Sequence, residues 1–159
     1  MKGPPPIPRR FAVAGVSSRF AGPRGSQAVA FASFFCCTPG MTRDEVQQWL
    51  DRYVDAWRSY DADAIGELFS TDAVYAYHPY DREPLRGRAA IVESWLSERD
   101  EPGSWDAHYG VTLLAGDQAI ARGETSYADG HVFSNLWELR FDADGRCADY
   151  VEWYMAHPR

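Results

Sequence analysis

The sequence predicts an α+β fold, with helices gathered against a single, mostly antiparallel sheet. Three features of residues 41–159 lead there. Apolar residues recur at helical spacing through the first half. Alternating runs separated by Asp-Gly and Asp-Ala-Asp-Gly turns fill the second half. Helical and strand patterns are also segregated along the chain, where a parallel α/β fold would interleave them.

The first helix is predicted over Thr42 to Arg58. Thr42-Arg43-Asp44-Glu45 has the form of a capping box, in which the Thr hydroxyl and the Glu carboxylate satisfy backbone N–H groups left open in a first turn. Val46, Trp49, Leu50, Tyr53, Val54 and Trp57 then fall on one helical face. Asp61 caps a shorter helix that turns Ile65, Leu68 and Phe69 inward. Ala73 to His78 is a predicted strand, ended by Pro79, which has no N–H to give a sheet. Tyr80 to Gly87 reads as a loop. Arg88 to Glu98 is a third helix with Ile91, Trp95 and Leu96 inward, broken by Pro102-Gly103. Trp105 to Ala115 is the next strand, turned back by Gly116-Asp117.

The rest of the domain is organised around Gln118 to Met155, which reads as three antiparallel strands. Asp129-Gly130 is a hairpin signal because Gly accepts the positive φ of a tight turn. A two-residue turn there sets Ala128 opposite His131, Glu124 opposite Asn135 and Arg122 opposite Trp137. A loop at Asp142 to Gly145 sets Phe141 opposite Arg146, Trp137 opposite Tyr150 and Asn135 opposite Glu152. Period-two geometry then places Ile120, Arg122, Glu124, Phe133, Asn135, Trp137, Leu139, Tyr150, Glu152 and Tyr154 on one face. That face is apolar except for Arg122, Glu124, Asn135 and Glu152. An unpaired charge in an apolar wall costs several kcal/mol, roughly, so this patch is the candidate site. The opposite face carries Val132, Leu136, Val151, Trp153 and Met155, an apolar surface suited to a homodimer.

Charge is uneven along the 159 residues. Residues 1–40 hold Lys2, Arg9, Arg10, Arg19 and Arg24 and no acid, a charge of +5. Residues 41–159 hold 11 Arg and 23 acids, a charge of −12, which brings the chain to −7. A domain this acidic repels phosphate backbones, so nucleic acid is not an expected partner. The Gly3-Pro4-Pro5-Pro6-Ile7-Pro8 stretch and the Gly, Ser, Ala and Arg that follow suit a disordered extension over 1–40, upstream sequence with Met41 as the natural start. The alternatives are an organellar transit peptide and a secretory signal, the latter interrupted at Ser33 and far from the terminus. No apolar run reaches the roughly 18 residues of a membrane helix. Cys36, Cys37 and Cys147 form neither a disulfide framework nor a zinc pattern, which fits a cytoplasmic location. His78, His108, His131 and His157 lack metal-ligand spacing, and no phosphate loop or serine elbow is present. No metal and no cofactor is expected.

This order of elements, with Arg52-Tyr53-Val54, Asp72-Ala73-Val74, Arg86-Gly87-Arg88-Ala89-Ala90-Ile91 and Arg140-Phe141-Asp142-Ala143-Asp144-Gly145, resembles the nuclear transport factor 2-like superfamily from Met41 to about Ala156. That group includes ketosteroid isomerase, limonene-1,2-epoxide hydrolase and SnoaL-like polyketide cyclases. The resemblance implies a cone-shaped roll: a curved mixed, mostly antiparallel sheet wrapped around three N-terminal helices, enclosing an apolar pocket. It also implies a homodimer through the convex face. Set on ketosteroid isomerase, Tyr53 takes the place of an oxyanion donor, Tyr77 or His78 that of the general base, and Trp137 that of the second donor. Set on limonene-1,2-epoxide hydrolase, Arg122-Gly123-Glu124 matches an Arg-x-Asp pair, Glu152 the last-strand acid, and Tyr75-Ala76-Tyr77 a Tyr-x-Asn. Both acids are Glu here, and Tyr77 replaces the water-holding Asn.

Two functions follow. One is a cofactor-free acid–base enzyme of the epoxide hydrolase, cyclase, isomerase or dehydratase type, acting on a small hydrophobic oxygenated molecule. Arg122, Glu124, Glu152, Tyr77 and His78 would be its catalytic groups. Tyr53, Tyr75, Asn135, Trp137, Tyr150 and Tyr154 would line its pocket. The other is a non-catalytic ligand-binding or dimerisation module, in which Arg122 and Glu124 form a structural ion pair.

Overall fold

A computed structural model describes residues 40–158, and the expectations for the amino-terminal extension lie outside them. The described chain runs α1 (Arg43–Ser59), α2 (Ala62–Leu68), β1 (Phe69–Ala76), β2 (Leu85–Arg86), α3 (Arg88–Ser97), β3 (Trp105–Ala115), β4 (Gln118–Tyr127), β5 (Val132–Phe141) and β6 (Cys147–Ala156). The strands form one curved, unclosed sheet in the order β2-β1-β6-β5-β4-β3. Only β1 and β6 run parallel; every other pair is antiparallel. The fold is therefore the predicted α+β roll, three helices against a mixed, mostly antiparallel sheet.

Local signals set the helix ends. At α1 the capping box is complete: Thr42 Oγ1 accepts from the Glu45 N–H, and Glu45 accepts from the Thr42 N–H at 2.7 Å. Val46, Trp49, Leu50, Tyr53, Val54 and Trp57 are all buried, as their spacing requires. Asp61 caps α2 by accepting from the Ala64 N–H at 2.8 Å. α3 starts at Gly87, whose φ of 86° lies in the region glycine tolerates. No helix among the described residues is long and apolar enough to cross a membrane.

Two elements differ from expectation. The first strand begins at Phe69 rather than Ala73, because the chain leaves α2 directly into extended backbone and a bulge absorbs the offset before Val74. The loop after Pro79 contains a short strand, β2, whose Leu85 and Arg86 pair with Tyr75 and Val74.

The hairpin registers differ more consequentially. Tyr127 N–H donates to the His131 carbonyl, so the first connection is the three-residue Ala128-Asp129-Gly130, with Gly130 at φ 87°. This is the type I turn plus left-handed Gly arrangement, not the two-residue turn. Gly123 rather than Glu124 therefore opposes Asn135, and Ala121 rather than Arg122 opposes Trp137. A one-residue slip turns every side chain of a strand to the other face. Ala119, Ala121, Gly123 and Thr125 face the helices, and Ile120, Arg122 and Glu124 face outward, which corrects their expected placement. Between β5 and β6 the Asp142 to Gly145 connection also closes one residue later than expected, with the Asp142 N–H donating to the Arg146 carbonyl. A bulge near Arg140 then adds a second one-residue offset. Two slips restore the face. Asn135, Trp137, Tyr150 and Glu152 point inward as predicted, though Asn135 now opposes Tyr154, and Trp137 opposes Glu152.

Candidate functional site

The inward face of β5 and β6 meets the aromatic stripe of α1. Tyr53 stacks parallel to Tyr150 with ring centroids 5.8 Å apart, and Tyr75 stacks on Tyr150 at 4.2 Å. Trp137 lies 4.6 Å from Tyr53 and stacks on Tyr109 of β3 at 3.8 Å. Tyr109 has room because Gly123 sits beneath it; a Cβ at that position would lie 2.1 Å from the ring. The small residues of β4 make space for the large ones of β3 and β5.

Glu152 stands in this aromatic interior, 1% exposed. Asn135 Nδ2 donates to its Oε1 at 2.8 Å, and Trp137 Nε1 donates to the same oxygen at 3.2 Å. Neither bond uses Oε2. Burial disfavours the charged form and raises the carboxyl pKa to about 7, against the lowering effect of the two hydrogen bonds. Behind Asn135, its Oδ1 accepts from Thr125 Oγ1 at 3.2 Å, and Thr125 Oγ1 lies 2.8 Å from the Tyr109 hydroxyl. Tyr53 and Tyr75 share a 2.8 Å hydroxyl contact, and the Tyr53 hydroxyl reaches Tyr150 at 3.5 Å. Burial, with the Glu152 charge adding to it, pushes the hydroxyls of Tyr53, Tyr75, Tyr109 and Tyr150 well above their ordinary range. The arrangement is one buried carboxyl of raised pKa inside a cage of neutral hydroxyls.

The structure thus brings together Glu152, Asn135, Trp137, Tyr53, Tyr75 and Tyr150 of the predicted site. Tyr77 is buried beside them but directs its hydroxyl to Ser94 at 2.9 Å. His78 is half-buried at the end of the first strand, stacked on Tyr80 at 5.0 Å and 5.1 Å from Tyr154. Arg122 and Glu124 are not part of this cluster. They stand on the outer face of β4, and they form no ion pair with each other or with Glu152 among the described residues. On that outer face Tyr80, Arg122, Leu136, Glu138, Trp153 and Met155 border a groove of about 880 Å³. The strands carrying Asn135 and Glu152 are its floor, with those two side chains turned the other way. Trp153 is 47% exposed and Met155 71%.

Three groups escaped sequence reasoning. Thr125 and Tyr109 join the site only through the true register of β4. The signal for it was available: Arg122 and Glu124, both charged and two apart, mark a solvent face, whereas Ala119, Ala121 and Gly123 suit a face overlaid by rings. Asp100, buried after α3, accepts from Trp57 Nε1 and from the Tyr60 hydroxyl, each at 3.1 Å. It ties the end of α1 to the loop leading into β3. No group of His, Cys, Asp and Glu among the described residues is placed to hold a metal ion. Cys147 is buried, and burial pushes its thiol far up.

Three helices packed on a curved, unclosed, mostly antiparallel six-stranded sheet define the nuclear transport factor 2-like class of fold. A SnoaL-like domain profile matches residues 50–150. The chain belongs to the SnoaL-like domain family. Solved structures agree on the fold. An NTF-2 like protein of unknown function from Burkholderia xenovorans LB400 is 18% identical, with a TM-score of 0.60 over 76% of this chain and 90% of the other. A Kribbella flavida DSM 17836 protein, provisionally called a ketosteroid isomerase, is 18% identical with a TM-score of 0.56, over 74% and 82% of the two chains. An LEH-like epoxide hydrolase from M. tuberculosis is 13% identical with a TM-score of 0.51, over 71% and 84%. No match was found among curated proteins.

Proposed function

We propose that this SnoaL-like domain is a cofactor-free acid–base enzyme in which Glu152 carries the proton, acting on a small hydrophobic molecule that bears an oxygen. The observation that carries the reading is the buried carboxyl itself. With its pKa raised to about 7, Glu152 is divided between acid and base at neutral pH, the condition under which one group both removes and returns a proton. Tyr53, Tyr75 and Tyr150, all neutral, supply hydroxyls for a substrate oxygen. With Arg122 and Glu124 on the outer face, and Asp100 bound to Trp57 and Tyr60 at the end of α1, the aromatic cluster around Glu152 holds one carboxyl rather than an acid–base pair. Within the predicted group of reactions this favours isomerisation or dehydration, which one shuttling group can perform. It disfavours epoxide hydration, which asks for a base on water and an acid on the leaving oxygen at the same moment.

The test is a panel of small apolar enones, β-hydroxy ketones and epoxides, incubated with the protein and with Glu152→Gln. Turnover of an enone or β-hydroxy ketone that depends on an ionisation near pH 7 and disappears in the variant supports the reading. Turnover undiminished in Glu152→Gln overturns it.

A second reading rests on a different observation: Glu152 is 1% exposed, and rings occupy the space around it. A non-catalytic module, paired with a second copy through the Trp153 and Met155 face, needs no access to that carboxyl. In that reading the hydrogen bonds on Glu152 hold β5 to β6.

A further inference from the structure

Four consecutive hydrogen-bonding groups cross the sheet from β3 to β6, with the Asn135 amide set Oδ1 toward Thr125 and Nδ2 toward Glu152. Asn135 Oδ1 can only accept, so Thr125, 3.2 Å away, gives its single hydroxyl proton to it. The Tyr109 hydroxyl, 2.8 Å from Thr125 Oγ1, must then be the donor in that pair. Asn135, held with Oδ1 toward Thr125, offers Nδ2 to Glu152 Oε1 at 2.8 Å. Trp137 Nε1 has no lone pair to accept with and also donates to Oε1, at 3.2 Å. An oxygen that receives two donors holds no proton of its own. The neutral acid therefore carries its proton on Oε2.

We propose that Thr125 is a positioning residue for the Glu152 carboxyl: the Tyr109 phenol, a better donor than acceptor, gives its proton to Thr125 Oγ1, the Thr125 proton is thereby directed to Asn135 Oδ1, and the amide is held with Nδ2 toward Oε1, which leaves Oε2 as the oxygen that exchanges protons. Thr125 is 0% exposed, so bulk solvent does not reach its hydroxyl. Among the described residues no ion pair reaches Glu152, and the other buried carboxyl, Asp100, is bound to Trp57 and Tyr60. The ionisable groups that sense Glu152 are Tyr53 on α1, Tyr75 on β1, Tyr77 just after it, Tyr109 on β3, Tyr127 on β4 and Tyr150 and Tyr154 on β6. Each hydroxyl is raised, chiefly by burial, and stays neutral; β5 contributes only Asn135 and Trp137. Without the Thr125 hydroxyl the amide is free to turn over and present Oδ1, an acceptor that favours the protonated acid.

The inference deepens the role given to Glu152 as proton carrier, and its test needs no substrate, so it fails or stands separately from the enzymatic reading. The Glu152 carboxyl is titrated by carbon-13 NMR of glutamate-labelled protein, its signal identified by its loss in Glu152→Gln. Thr125→Val should raise the midpoint by about one unit or more, a tenfold gain in proton affinity, whereas Thr125→Ser should restore the unmutated value. In the unmutated protein the Asn135 side-chain amide signals should shift with the same midpoint as Glu152, a measurement that stands even where Thr125→Val does not fold. Equal midpoints for Val, Ser and the unmutated protein overturn the proposal. So does an Asn135 amide that ignores the titration.

Discussion

Asn135 reaches Glu152 diagonally: its backbone partner on β6 is Tyr154, yet its Nδ2 bonds the Glu152 carboxyl at 2.8 Å. The bond favours the ionised acid, but burial prevails and leaves the pKa raised from 4.5 to about 7. A native pKa above the unfolded one gives stability that is present below pH 4.5 and lost as pH rises through about 7. A shift of that size corresponds to about 3 kcal/mol. Glu152→Gln removes the titration and keeps an acceptor for Asn135 and Trp137. Urea melts at pH 5 and pH 8 should show the variant gaining on the unmutated protein at the higher pH by up to about that amount. Parallel behaviour at both pH values counts against a raised Glu152.

Asn135→Leu keeps the volume but removes both links of the amide. Thr125 loses its acceptor and Glu152 one donor, at about 1–3 kcal/mol for the buried groups left unsatisfied. Because the lost bond served the ionised carboxyl, the loss should be larger at pH 8 than at pH 5. In the Glu152→Gln background that pH dependence should vanish, and a cycle of denaturant melts at both pH values measures it. A loss independent of pH makes the Asn135–Glu152 bond structural only.

Gly123 is required by close approach rather than by φ. A Cβ there would lie 2.1 Å from Tyr109 Cδ1 and 2.2 Å from the His108 carbonyl oxygen, and the carbonyl cannot move without breaking the β3–β4 ladder. Gly123→Ala should destabilise on the order of 3 kcal/mol, the upper range of core overpacking, and loosen Tyr109 from Trp137. The readouts are the urea midpoint and the near-ultraviolet dichroism of the stacked rings. A variant as stable as the unmutated protein disproves the close contact.

The fold was legible because its determinants are local: the Thr42 capping box, the 3.6-residue stripe of α1, and the Gly-containing turns each act over a few residues. The site was legible on β5 and β6 but not on β4. Asp129-Gly130 is compatible with a loop of two residues or three, and that single residue decides whether Arg122 and Glu124 or Gly123 and Thr125 face Glu152. The bulge after Arg140 leaves no compositional mark, yet it cancels the error of the second loop and returns Glu152 to the inner face. Register is a property of paired strands. A period-two pattern in one strand fixes which residues share a face, and the turn, together with the kind of residue on each face, fixes which face it is.

The outer face makes a prediction of its own. Trp153 donates its indole N–H to Glu138 at 2.9 Å, and with Leu136, Val151 and Met155 it forms an apolar surface that the described residues leave partly exposed. Pairing through such a sheet face is expected to bury about 800 Å² on each copy, the usual size of a specific interface. A two-fold contact sets equivalent residues near one another, so Trp153→Glu would place a charge from each copy in the apolar centre, beside the Glu138 of its own strand neighbour. The unmutated protein should sediment as a dimer at micromolar concentration. Trp153→Glu should sediment as a monomer with unchanged far-ultraviolet dichroism, because no inward side chain is touched. Trp153→Phe, which keeps the apolar ring and loses the indole N–H, should remain dimeric. A monomeric unmutated protein at tens of micromolar sinks the idea, and a dimeric Trp153→Glu moves the interface elsewhere.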